Sequence, residues 1–149
     1  MKKGVDFTGV TTVFCCHDGK GNILMHVRSK NCRDEQGNWD WGSGSLDYGL
    51  SPEENLRKEV MEEYGVDVKE LKLLGNRNVK RSLADGTPTH WISFDYLCLV
   101  DRDKVKNGEP ESIDEPGWFT LDSLPEPLHS QIPSFLELYK DKLDEHLKF

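Results

Sequence analysis

Cysteine is scarce, and it is spaced wrongly for its specialised roles. Cys15, Cys16, Cys32 and Cys98 include no C-x-x-C pair, which argues against a zinc-ligand set and against a disulfide framework. Cys15 and Cys16 are adjacent on a stretch that reads as a strand, so they point to opposite faces and serve as reduced packing residues. Long hydrophobic runs are also missing: nothing approaches the ~18 apolar residues of a membrane span. Lys2 and Lys3 have no apolar run behind them, so the start does not read as a signal peptide, and a cytoplasmic protein is expected. Positive charge is in deficit, with a formal net charge of −8 at pH 7. That argues against sequence-independent nucleic-acid binding, which needs a basic face. No internal repeat, low-complexity segment or linker is visible, so residues 1–149 are expected to form a single domain.

What is present alternates. Residues 10–16 read as a strand and 17–22 as a turn. In residues 23–28, Ile23, Met25 and Val27 alternate with Leu24, His26 and Arg28, completing a hairpin. Residues 29–38 are a polar loop, and 39–41 a short extended piece with Trp39 and Trp41 as core residues. Residues 66–74 read as a short extended segment, 76–83 as a strand and 84–88 as a turn. Residues 90–100 are apolar on both faces, which predicts a central strand covered on both sides. Residues 101–116 form a polar loop, 117–120 a short strand and 132–149 one amphipathic terminal helix. A mixed sheet with a helix on each face follows, an α/β/α sandwich.

The most informative stretch is residues 44–66. Ser51, Pro52 and Glu54 form an N-cap, a first helical proline and a capping box. Leu56, Val60 and Tyr64 make a buried stripe, and Gly65 supplies a left-handed stop. At about 100° per residue, Glu59, Glu62 and Glu63 share an arc about 100° wide beside that stripe. Like charges at this spacing repel, and a divalent cation is the simplest group to offset the cost, since hard cations take oxygen ligands.

In register, Gly44, Glu59, Val60, Glu62, Glu63, Gly65 and Val66 resemble the Nudix box, G-x5-E-x7-R-E-U-x-E-E-x-G-U with U aliphatic, the signature of a family of pyrophosphohydrolases. Leu50 and Lys58 depart from it, standing where the family has glutamate and arginine. The later segments around His90-Trp91 and residues 117–128 resemble its MutT-like branch.

The resemblance implies a Nudix-like fold and hydrolysis of a nucleoside diphosphate linked to X, most simply a nucleoside triphosphate or related nucleotide. Mg²⁺, with Mn²⁺ as a substitute, would be held by Glu59, Glu62, Glu63 and the Gly44 carbonyl. Glu59 is the family-based general base, steadied by Lys58. Glu109, Glu111 and Glu115 are loop alternatives, with Glu115 favoured. Arg28 is a candidate phosphate contact, and Trp91, Tyr48 or Trp118 are candidates to stack on a base. The expected partner is a small nucleotide or other diphosphate, with no membrane, and homodimers are common among relatives. Two other readings stand: a Nudix-like module that binds without hydrolysis, motivated by Leu50 and Lys58, and removal of RNA 5′ ends through Arg77, Lys80 and Arg81.

Overall fold

The computed structural model describes residues 1–147. In order they form β1 (Gly9–His17), β2 (Ile23–Arg28), β3 (Trp39–Asp40), β4 (Ser43–Ser45), α1 (Pro52–Tyr64), β5 (Glu70–Ser82), β6 (Pro88–Leu99), β7 (Ile113–Phe119), α2 (Ile132–Leu138) and α3 (Lys140–Leu147). One mixed sheet runs β3-β2-β1-β6-β5, with β4 also paired to β1 and β7 to β2. β6 is an inner strand, parallel to β1 and antiparallel to β5, as its two apolar faces predict.

Strand alternation divides the core. Phe14, Cys16, Leu24, Tyr96 and Cys98 meet Leu56, Val60 and Tyr64 of α1 on one face. Cys15, Ile23, Met25 and Leu97 meet Ile132, Phe135, Leu143 and Leu147 of α2 and α3 on the other. The two adjacent cysteines therefore serve opposite layers, both fully buried.

The sheet departs from the sequence expectations in three places, one of them β7, which begins at Ile113 inside the stretch expected to be a loop. The hairpin expected of β1 and β2 pairs only at His17↔Ile23. Beyond that point β1 turns to pair with β4, while β2 pairs with β7 and β3. The two segments expected between residues 66 and 83 are one strand of 13 residues, irregular between Leu73 and Gly75. There the Tyr139 ring lies so close over Gly75 that an added Cβ would come within 3.0 Å of it.

The single terminal helix expected over residues 132–149 is instead two, broken at Tyr139; residues 148–149 of that expectation lie outside the described residues. Tyr139 donates its hydroxyl to Asp95 Oδ2 at 2.6 Å. Arg77 grips the same carboxylate through Nε at 2.7 Å and Nη2 at 3.1 Å. Asp95 is fully buried, so it needs these donors, and they tie the carboxy-terminal layer to the sheet.

Candidate active site

α1 begins and ends where local chemistry sets it. Ser51 Oγ accepts from the Glu54 amide at 3.2 Å, and Glu54 Oε1 accepts from the Ser51 amide at 3.0 Å. Gly65 terminates the helix at φ 66°, with its N–H on the Met61 carbonyl. The stripe of Leu56, Val60 and Tyr64 is fully buried, which fixes the rotation of the helix and places Glu63 under cover while Glu62 stays in solvent. Buried Asn55 joins helix, loop and sheet: its Nδ2 donates to Thr12 Oγ1 at 3.1 Å, and its Oδ1 accepts from the Asp47 amide at 3.1 Å.

The carboxylates gather at the far end of the helix. Glu59 is partly buried and lies across Gly44, where any Cβ would overlap the Glu59 carboxyl group. Glu63 is only 7% exposed, and its Oε2 has no hydrogen-bond partner. Burial, then the charges of Glu109 and Glu59, push its pKa well up. Burial and the neighbouring Glu62 also raise Glu59, against the opposing pull of Lys58. Glu109 joins the group from the loop before β7, and burial followed by the Glu62 charge raises it too.

That loop is docked on the helix terminus. The Gly108 amide donates to the Glu63 carbonyl at 2.9 Å, and the Lys106 amide to the Tyr64 carbonyl at 3.0 Å. Gly108 sits so close to the Glu62 carbonyl that no side chain fits. Among the loop glutamates, Glu109 is thus the one that feels the helix carboxylates. Glu115, favoured from sequence, is an exposed residue on β7.

A cation already shares the cluster. Lys58 Nζ lies 2.9 Å from Glu62 Oε1, 3.0 Å from Asp47 Oδ2 and 3.5 Å from Glu59 Oε1. The hydrogen bonds it donates to Glu62 and then to Asp47 raise its pKa. Leu50 offers Lys58 no acceptor, and the carboxylate that meets it there comes from Asp47, three residues earlier. The turn that closes with the Leu50 amide on the Asp47 carbonyl at 3.2 Å gives no sign in the sequence of which of its side chains will face Lys58.

Donor chemistry fits a hard divalent cation: several carboxylates, one with a buried oxygen that lacks a partner. As the side chains stand, no three His, Cys, Asp or Glu groups among the described residues are gathered closely enough to hold one. The Gly44 carbonyl is occupied by hydrogen bonds from Thr11 Oγ1 at 3.0 Å and Thr12 Oγ1 at 3.2 Å.

The remaining candidates are distributed elsewhere. Arg28 is engaged by Asp34 Oδ1 at 2.8 Å and Asp40 Oδ2 at 3.4 Å, which makes it a fastener of the loop after β2. Trp91 packs its indole on Gly4 and Gly9, holding down the amino-terminal segment. Trp118 carries Arg102 over its ring at 4.9 Å. Arg77 is committed to Asp95, and Arg81 to Glu35 at 2.7 Å, so the basic patch proposed for RNA is largely consumed. His90 bonds Thr8 and Asn78, consistent with a structural role. Trp41 is core at 1% exposure.

Tyr48 alone among the aromatic candidates is fully exposed. It borders a groove of about 300 Å³ that also takes in Phe7, Thr8, Leu46 and Asp47. A second groove of about 390 Å³, along Phe7, Lys80, Arg81 and His90, includes none of the cluster carboxylates.

A sequence model of the NUDIX domain matches residues 7–139. Among solved structures, a MutT NUDIX hydrolase from Burkholderia pseudomallei is similar at 27% identity and TM-score 0.77, over 89% of this chain and 98% of that one. A MutT/nudix family protein from Enterococcus faecalis shares the fold at 14% identity and TM-score 0.75; this chain is covered to 97% but spans 65% of that longer one. The NUDIX domain of Shewanella oneidensis NrtR, solved in complex with ADP ribose, shares the fold at 18% identity and TM-score 0.68, over 96% of this chain and 90% of that one.

Proposed function

The chain belongs to the NUDIX domain family, whose members are hydrolases of pyrophosphate bonds, and on that premise we propose that it cleaves a nucleoside diphosphate linked to X, with a nucleoside triphosphate or related nucleotide as substrate. The observation that carries this reading is Glu63 Oε2, buried without a partner beside Glu59 and Glu109. A buried carboxylate oxygen costs free energy unless something binds it, and a cation brought in with a polyphosphate meets that need.

Bound Mg²⁺ or Mn²⁺ supplies charge neutralisation for the phosphates and acidifies water. Glu59, Glu62 and Glu63 are the residues that would hold it. The Gly44 carbonyl, expected to assist, would have to loosen its threonine bonds to do so. Glu109 is the preferred proton acceptor for the attacking water. Its raised pKa moves a carboxylate toward the range where general bases work near neutrality, and its loop is fixed to the helix end by Gly108. Glu59 keeps the family-based claim to that role. Water adds to phosphorus, the bridging P–O bond breaks, and the proton passes to the carboxylate.

The groove beside Asp47 suits the nucleoside. Tyr48 and Phe7 offer exposed rings to a base, and aromatic stacking tolerates base identity. The test is phosphate or nucleotide release from a panel of nucleoside triphosphates, sugar nucleotides, dinucleoside polyphosphates and ADP-ribose, in Mg²⁺. Turnover that is lost in Glu62→Gln and Glu63→Gln supports the reading, and full activity in both variants overturns it.

A second reading is binding without hydrolysis. It is favoured by one observation, that Lys58 rather than an open carboxylate cluster faces Glu62. Calorimetric binding of ADP-ribose with no turnover in either Mg²⁺ or Mn²⁺ would support it.

A further inference from the structure

The Lys58 ammonium group is close to three carboxylates at once: Glu62 at 2.9 Å, Asp47 at 3.0 Å and Glu59 at 3.5 Å. Two of these are the glutamates proposed to hold metal, and the third is not. We propose that Lys58 is a tethered counter-ion, which holds Glu59 and Glu62 in place until metal arrives and then moves wholly onto Asp47. This rests on the metal-binding reading above.

Several features make the exchange workable. Glu63 Oε2, buried and unpartnered next to Glu59, is a donor that Lys58 does not reach, so the cluster retains an unused ligand. Lysine presents a compact charge with three rotatable donors on a flexible stem, whereas arginine presents a rigid planar fork. A lysine can release one carboxylate while keeping another. Its side chain is 42% exposed, so solvent leaves it room to move. Asp47 starts from a fixed backbone, its amide anchored to Asn55 Oδ1 at 3.1 Å, so its carboxylate stays within reach of Lys58 when Glu62 changes partner. The departure of residue 58 from arginine and the placement of an acid at 47 thus read as one arrangement.

The consequence is a sign that a purely supporting lysine would not give. Lys58→Met removes a competitor for Glu62 and Glu59, so the metal alone should bind more tightly. Asp47→Asn removes the place to which Lys58 retreats, so the metal should bind more weakly. In the double variant, with no lysine to accommodate, the loss of Asp47 should hardly matter. A mere effect of net charge would instead leave the Asp47 contribution the same in both backgrounds. This is the comparison a double-mutant cycle makes.

The experiment is isothermal titration of the metal-free full chain with Mn²⁺, on wild type, Lys58→Met, Asp47→Asn and the double variant, with melting temperatures recorded with and without Mn²⁺. Expected are at least threefold tighter binding in Lys58→Met with a larger metal-induced rise in melting temperature, at least threefold weaker binding in Asp47→Asn, and a double variant matching Lys58→Met. Weaker binding in Lys58→Met, or additive effects, overturns the tether while leaving the metal site intact. Absence of Mn²⁺ binding in wild type overturns both the tether and the reading on which it rests.

Discussion

Glu59 lies directly across Gly44, and the absence of a side chain at position 44 is what leaves room for its carboxyl group. Gly44→Ala should therefore displace the Glu59 carboxyl. Overpacking of this kind costs about 1–3 kcal/mol, and the displaced group is one the chemistry uses. The expected outcome is a fall of more than tenfold in kcat with a smaller proportional change in KM, measured alongside chemical denaturation. Unchanged kcat would show that Glu59 has no positional role.

Glu109 and Glu115 separate cleanly. Glu109 sits among the helix carboxylates on a loop docked by Gly108, and Glu115 lies exposed on β7. Glu109→Gln should lower kcat by about 10²–10⁴-fold, the range for loss of a general base, and Glu115→Gln by less than about threefold on the same scale. Steady-state rates of the two variants decide the matter, and the reverse order would restore the sequence-based choice.

His26 makes stability depend on pH. Tyr64 Oη donates to the Trp41 carbonyl at 2.6 Å, so its oxygen accepts from His26 Nδ1, which lies 2.5 Å away. Burial is the first cause that lowers the His26 pKa from 6.5 to about 4. The unfolded chain therefore binds the proton more readily than the folded one. Stability is complete above pH 6.5 and falls as pH drops from 6.5 toward 4. Between pH 7.5 and 5 the loss from this group should be about 2 kcal/mol. Urea unfolding at the two pH values should show a loss about 2 kcal/mol larger in wild type than in His26→Gln, which carries every other titrating group unchanged.

Arg77 and Asp95 should behave as a structural pair. Asp95 is fully buried and Arg77 grips it through two bonds. Arg77→Met leaves that carboxylate without its counter-charge, which costs about 3–5 kcal/mol. Thermal denaturation should show the loss, with KM for the preferred nucleotide unchanged in the folded fraction.

What could be read from the sequence was local. Ser51, Pro52, Glu54 and Gly65 act within one turn of α1, and Cys15 and Cys16 follow from strand alternation alone. The shared face of Glu59, Glu62 and Glu63 is a property of helical spacing. What could not be read depends on contacts made from afar. Arg28 reads from sequence as a phosphate contact, but the loop after β2 folds back and Asp34 takes it. Glu109 is distinguished from Glu115 only by where Gly108 docks. The break at Tyr139 answers to Asp95, which is 44 residues away in sequence. Asp47 meets Lys58 because a turn brings its carboxylate there, and no spacing rule encodes that.

The central claim is hydrolysis of a nucleoside diphosphate derivative by the carboxylates at the end of α1. Its most direct test is time-resolved product formation from the nucleotide panel in Mg²⁺, with wild type and Glu62→Gln in parallel. Wild type is expected to convert at least one nucleotide to a monophosphate product, and Glu62→Gln to slow this by at least a hundredfold. Equal rates in the two proteins, or no turnover of any nucleotide in Mg²⁺ or Mn²⁺, would contradict it.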